Sequence, residues 1–106
     1  MSTDLDDLLG ALAEPTRLRA LQILWDGGEH CVGELTARLG TTQSRMSRHM
    51  GRLKTSGLVL DRRDAQWVRY RRNPDIASEC SAIVDAVMRA LPRGGARPLA
   101  TEGRMA

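Results

Sequence analysis

Hydrophobic positions in the first part of the chain recur at helical spacing and predict three helices. The first covers residues 3–12, capped by Thr3 or Asp4, and its leucines share one face. The second begins at Pro15, which suits the first turn of a helix, and runs to about Asp26. A third, short helix covers residues 32–39 and is followed by a glycine.

A fourth helix, predicted from Thr42 to Ser56, differs from the others because most of its surface is polar. Met46, Met50 and Leu53 are spaced four and then three residues apart, which places them on one narrow stripe. The remaining positions are almost all polar or charged. We therefore expect this helix to be anchored by its stripe while its broad polar side faces outward.

The hydrophobic period then changes to two. Residues 58–64 and 67–72, joined by a turn near Ala65, predict a two-stranded hairpin with Val68 and Tyr70 on one side. A final helix is predicted to start at residues 73–75. Its apolar stripe recurs every three or four residues at Ile76, Cys80, Ile83, Val87 and Leu91.

The order of elements is thus four helices, a hairpin and a fifth helix, and only Gly40-Thr41 joins the third helix to the fourth. This order is typical of a winged helix-turn-helix, a mainly α fold with a small β-hairpin. We assign that domain to residues 1–91. The Gly-, Pro- and Arg-rich residues 92–106 are interpreted as a disordered C-terminal tail. No segment has the length and composition of a membrane span or a leader peptide, so we expect a cytoplasmic protein without membrane contact.

Charge is distributed unevenly along the chain. Residues 43–72 hold nine Lys or Arg against two Asp, a net charge of +7, whereas residues 1–42 hold three Arg against seven acids. A basic block of this density suits a polyanion, although a solvated basic face would have the same composition. The helix-turn-helix pattern within and beside this block favours duplex DNA as the partner.

In a helix-turn-helix the second helix enters the major groove with its N-terminal residues toward the base edges. Glutamine can pair with adenine and arginine with guanine, whereas other cations and hydroxyls contact phosphates. Arginines around the hairpin would reach the backbone or the minor groove. The predicted DNA contacts are Gln43, Ser44, Arg45, Ser47, Arg48, His49 and Arg52 on the helix, and Arg62, Arg63 and Arg69 on the hairpin.

Five segments of the chain resemble the ArsR/SmtB family of bacterial metalloregulatory repressors, most closely its arsenic-responsive branch. They are residues 14–19, 31–35, 43–50, 53–59 and 61–70. The resemblance implies a homodimer, held by the first and last helices, that represses an operon and leaves the operator DNA when an inducer binds. The apolar positions that fit this dimer interface are Leu5, Leu8, Leu9, Ile76, Cys80, Ile83 and Val87.

Two cysteines are available to an inducer that binds thiolates. Arsenic-responsive members carry Cys-Val-Cys before an acidic residue and Leu at the third helix, whereas this chain has Cys31 followed by Val32 and Gly33. Trivalent arsenic and antimony prefer thiolates, typically three. We expect Cys31, at a helix start, to be the reactive thiol, and As(III), Sb(III) or methylarsenite to bind it with or without Cys80. The alternative for Cys80 is a small buried residue without a sensing role. No cofactor is required.

Three functions stay open on the sequence alone. The first is a repressor released by a metalloid or an organoarsenical. The second keeps DNA binding but responds to oxidant or reactive sulfur through a Cys31–Cys80 disulfide. The third is a winged helix that binds protein instead of DNA, which the basic block disfavours. An enzyme is not expected, because the chain has no nucleophile–base constellation, no glycine-rich phosphate loop and no ligand cluster for catalytic zinc.

Overall fold

The computed structural model describes residues 4–92, and this range contains five helices and three strands. The tail predicted for residues 92–106 lies outside the described residues apart from Pro92. The helices are α1 (Leu5–Leu12), α2 (Pro15–Leu24), α3 (Val32–Leu39), α4 (Gln43–Thr55) and α5 (Ser78–Ala90), and the strands are β1 (His30–Cys31), β2 (Val59–Asp64) and β3 (Trp67–Arg72). The predicted winged helix-turn-helix is confirmed, with one strand added to the hairpin.

The turn between α3 and α4 is built from backbone hydrogen bonds and a left-handed glycine. The amides of Gly40 and Thr41 both donate to the carbonyl of Thr36, and Gly40 has φ +67°. A side chain at this backbone conformation would cost about 1–2 kcal/mol, which explains the glycine. Thr42 then caps α4, its hydroxyl accepting the amide of Arg45 at 3.2 Å.

The core surrounds α4, receives side chains from the other helices and the hairpin, and is mainly aliphatic, with Tyr70 as its one buried aromatic residue among residues 4–92. The predicted stripe of α4, formed by Met46, Met50 and Leu53, is fully buried. It belongs to one cluster with the most buried leucines of the other helices, which are Leu8, Leu21, Leu24 and Leu35. Burying an aliphatic side chain of this size contributes about 1.5–3 kcal/mol, so the stripe fixes which side of α4 faces solvent.

A short strand, β1, joins the hairpin to the helix-turn-helix. The sheet has the order β1-β3-β2 and is antiparallel throughout. In β1 His30 lies opposite Tyr70 and Cys31 lies opposite Arg69. Because α3 starts directly after Cys31, the same segment ends the sheet and begins the helix-turn-helix.

The last helix begins later than the sequence indicates. The side-chain oxygen of Asn73 accepts the amide of Asp75 at 2.9 Å, and its nitrogen donates to the carbonyl of Gly57. This turn holds the backbone out of the helical conformation, so the prediction of a helix starting at residues 73–75 is wrong and α5 starts at Ser78. Its buried residues are Cys80 and Val84, and the second of these was not part of the predicted stripe.

Candidate nucleic-acid interface and thiol site

The first turns of α4 present an exposed polar surface. Five predicted DNA contacts lie there and are all exposed to solvent: Gln43, Ser44, Arg45, Ser47 and Arg48. Within residues 4–92, neither arginine of this group has an ion-pair partner. These side chains therefore keep their hydrogen-bonding groups available for base edges or phosphates.

The other two predicted contacts of α4, His49 and Arg52, face the protein. His49 Nδ1 lies 3.2 Å from Nη1 of Arg17 and 3.9 Å from the Glu14 carboxylate. Nη1 of Arg52 pairs with the Asp7 carboxylate at 3.0 Å. In this structure both side chains brace α4 against α1 and the start of α2, and their contact with DNA stays a prediction.

The arginines of the hairpin differ in the same way. Arg62 donates two hydrogen bonds to Glu29, at 2.9 and 2.7 Å, and Arg69 donates to Asp64 at 3.0 Å. Arg63 is exposed, with no acid within ion-pair distance among the described residues. The hairpin thus offers fewer uncommitted cations than its sequence contains.

More than half of the cations in the basic block, residues 43–72, are paired with an acid within the chain. Of the nine cations in residues 43–72, five have an acidic partner, namely Arg52, Lys54, Arg62, Arg69 and Arg72. The four that have none within residues 4–92 are Arg45, Arg48, Arg63 and Arg71. Sequence reasoning missed these pairs because several of the acids lie far from the block along the chain.

Cys31 occupies the N-cap position of α3 and is half-buried, with a free thiol. A Cβ atom placed on Gly33 would lie 3.9 Å from the Cys31 sulfur, its only neighbour within 4 Å apart from the adjacent residues and the backbone of α3. Cys80 is also a free thiol but is buried in the core cluster. Among residues 4–92 no three His, Cys, Asp or Glu side chains are grouped so as to hold a metal ion.

His30, next to Cys31, is held between two carboxylates. Its Nδ1 lies 2.8 Å from Glu34 and its Nε2 lies 2.9 Å from Asp26. Burial by itself would lower the pKa of His30, but the hydrogen bonds to Glu34 and Asp26 outweigh it and raise the pKa above its ordinary value. The imidazolium is thereby favoured, and both ring nitrogens are committed as donors.

This arrangement predicts how stability depends on pH. Because folding raises the pKa of His30, its contribution is fully present below the unfolded pKa and is lost as pH rises through the folded value. We expect the free energy of unfolding to fall as the pH rises from about 6.5, the ordinary pKa of histidine, through the raised value of His30. The decline should be shallower in His30→Gln. Urea unfolding across this range measures both proteins, and parallel curves would contradict the prediction.

Asp26 and Glu34 do not contribute to the change in stability expected from His30, because both titrate at lower pH. The hydrogen bond from the Gly28 amide is the main cause that lowers the pKa of Asp26. For Glu34, burial acts to raise the pKa, but hydrogen bonds from His30 and Arg38 outweigh it and lower the value. Depressed carboxylate pKa values remove stability only in acid, below about pH 4.5.

The apolar positions expected at a dimer interface divide into two groups. Leu5 and Leu9 on α1 are 50% and 49% exposed, and Ile76, Ile83 and Val87 are partly buried. Leu8 and Cys80, expected in the same interface, are instead buried in the core of the chain itself. A surface available to a second copy therefore includes the first group and excludes Leu8 and Cys80.

Within residues 4–92 no helix has the length and apolar character needed to cross a bilayer.

Comparison with known proteins agrees with this geometry. The profile of the bacterial regulatory protein arsR family matches residues 14–60. The chain is 38% identical over 84 residues to an arsenic resistance transcriptional regulator of Pseudomonas putida, covering 79% of this chain and 73% of the relative. It is 40% identical over 82 residues to the arsenical resistance operon repressor of Escherichia coli, covering 77% of this chain and 70% of the relative.

Solved structures show the same fold. HlyU from Vibrio cholerae superposes with a TM-score of 0.70 at 37% identity, covering 81% of this chain and 89% of the other. A homodimeric winged helix-turn-helix DNA-binding domain from Mycobacterium bovis gives a TM-score of 0.68 at 26% identity, covering 81% and 76%.

The exposed basic start of α4, set in a winged helix-turn-helix, defines a DNA-binding transcriptional regulator. The chain belongs to the ArsR family of bacterial regulatory proteins. Its relatives are transcriptional regulators, arsenic-resistance regulators among them.

Proposed function

We propose that this chain is a homodimeric repressor that binds operator DNA and leaves it when a trivalent arsenical binds Cys31. The observation that carries the proposal is the place of this free thiol. Cys31 ends β1 and occupies the N-cap position of α3, and α3 leads through a short turn into the DNA-facing α4. A ligand at this sulfur would act on the sheet and the helix-turn-helix together. The relatives named for arsenic resistance support the choice of ligand.

The small number of accessible thiolates favours an organoarsenical over arsenite as the inducer. Arsenite typically takes three thiolates, whereas one valence of methylarsenite is already occupied by carbon. This chain has a glycine at position 33, and the sulfur of Cys80 is buried in the core. A ligand that needs fewer thiolates fits better here, with Cys31 as the required donor and Cys80 of either protomer as a second donor if the core opens.

The dimer completes the DNA-binding surface. Leu5 and Leu9 leave half of their surface exposed on α1, and the partly buried Ile83 and Val87 lie on α5. Pairing these helices with a second copy would bury them and present two α4 helices. Recognition helices about 34 Å apart would read an imperfect palindrome. We propose no catalytic activity for this protein and a site of action in the cytoplasm.

The test is operator binding with and without inducer. Fluorescence anisotropy with the promoter fragment upstream of the gene should show tight binding that methylarsenite reverses, and arsenite reverses less effectively. Unchanged affinity with both compounds would reject the arsenical as inducer. Release by mild oxidant alone, with a Cys31–Cys80 disulfide found by mass spectrometry, would replace it with a redox signal.

A further inference from the structure

On the hairpin, the exposed side chain of Arg62 is paired with an acidic residue, Glu29. The carboxylate of Glu29 accepts two hydrogen bonds from one guanidinium, from Nη2 of Arg62 at 2.7 Å and from its Nε at 2.9 Å. The Arg62 side chain is 53% exposed and that of Glu29 is 30% exposed. This two-pronged geometry is the one that arginine also offers to a phosphate group.

The register of the sheet places Glu29 near a row of arginines. Arg62 lies directly opposite Arg69, so their side chains share a face, and Arg71, two residues further along β3, shares it too. The hydrogen bond from Arg62 is the main cause that lowers the pKa of Glu29, and the charges of Arg69 and Arg71 contribute to the same shift. The carboxylate therefore stays ionised within a cationic surface.

We propose that Glu29 is an internal competitor of DNA, holding Arg62 in the place that a backbone phosphate would take. The inference rests on the DNA binding described above and goes beyond it. Arg62 cannot direct both of its donors at Glu29 and at a phosphate, so the pair opens when the hairpin engages the duplex. Glu29 is a positioning residue that acts through Arg62, and it makes no contact with DNA itself.

The competition predicts that removing the acid tightens binding. Glu29→Gln should lower the dissociation constant for a mixed-sequence duplex about two- to fivefold, the range expected when an exposed ion pair no longer has to open. A steeper salt dependence is expected as well, by up to about one unit in the slope of log K against log salt. Anisotropy titrations at several salt concentrations measure both quantities.

A double-mutant cycle separates competition from a general change of charge. Arg62→Ala should weaken binding less than about twofold in the wild-type background, because the lost phosphate contact is offset by the pair that no longer opens. In the Glu29→Gln background the same change should weaken binding about two- to fivefold. The matched control is Asp75→Asn, which removes one charge from an exposed acid with no ion-pair partner among the described residues.

These measurements distinguish competition between Glu29 and DNA from a general effect of charge. Tighter binding by Glu29→Gln that disappears with Arg62→Ala, and that exceeds the effect of Asp75→Asn, supports the competition. Equal tightening in both backgrounds, or in the control, shows bulk electrostatics and overturns it. No tightening while the wild type binds DNA overturns this inference alone. A wild type that binds no duplex overturns the proposed function together with it.

Discussion

Replacing Arg45 with alanine is expected to weaken operator binding by about 1–3 kcal/mol, which corresponds to roughly a 5- to 150-fold rise in the dissociation constant. The side chain is exposed in the first turns of α4 and lacks an acidic partner within residues 4–92. Removing Arg45 eliminates a contact with a base edge of the operator. A mixed-sequence duplex has no matching base for Arg45, so it has no such contact to lose. The loss should therefore be larger for the operator than for a mixed-sequence duplex.

Arg52→Ala supplies the matched control on the same helix. It removes the same charge, but Arg52 pairs with Asp7 and contacts Ser56, so its side chain supports the protein. We expect a small decrease in the free energy of unfolding, below about 1 kcal/mol, with little change in the preference for operator. Anisotropy on both duplexes and thermal unfolding measure these effects. If both variants lost operator preference equally, the exposed Arg45 and the protein-facing Arg52 would not differ in DNA recognition, which would contradict the prediction.

Cys31→Ser should abolish the response to methylarsenite while operator affinity stays within about twofold. Serine keeps the size and the N-cap position of residue 31 but provides no soft ligand. The measurement is the inducer concentration that releases half of the operator. A variant that responds as the wild type does would place the inducer elsewhere.

Gly33→Cys tests the same site in the opposite direction. The added Cβ would lie 3.9 Å from the Cys31 sulfur without any closer contact, and Gly33 lies within α3, so the substitution fits. Two thiolates on one helix turn chelate, and arsenite affinity should rise on the order of 10²-fold. The control is Gly33→Ser, which adds similar bulk without a thiol and should leave arsenite affinity unchanged. No gain with the cysteine would mean that the two sulfurs do not converge on one ligand.

The sequence predicts most of the fold because its local signals agree with one another. The stripe of Met46, Met50 and Leu53 and the glycine after α3 fix the helix-turn-helix, and the change to period two fixes the hairpin. It does not reveal β1, because two residues are too short to show a period and the partner strand begins at Trp67. The start of α5 depends on an Asn73 side chain that bonds back to Gly57, which is a tertiary contact.

The site is predicted less completely, and the reason is electrostatic. Exposure of the first turns of α4 follows from the stripe, so Gln43, Arg45 and Arg48 were identifiable. The commitment of Arg52 and Arg62 was not, since their partners lie 45 and 33 residues away along the chain. The composition alone gives the number of cations, whereas the folded structure shows which of them already have an acidic partner.

The internal pairing of five of the nine cations in the basic block also bears on how the repressor finds its target. General attraction to the phosphate backbone grows with the number of counterions that a protein displaces. A chromosome offers about 10⁶–10⁹ competing stretches, so a surface with every cation uncommitted would retain most copies far from the promoter. By keeping part of its charge occupied, the proposed repressor would weaken that sequestration, so fewer molecules per cell would suffice to occupy its operator.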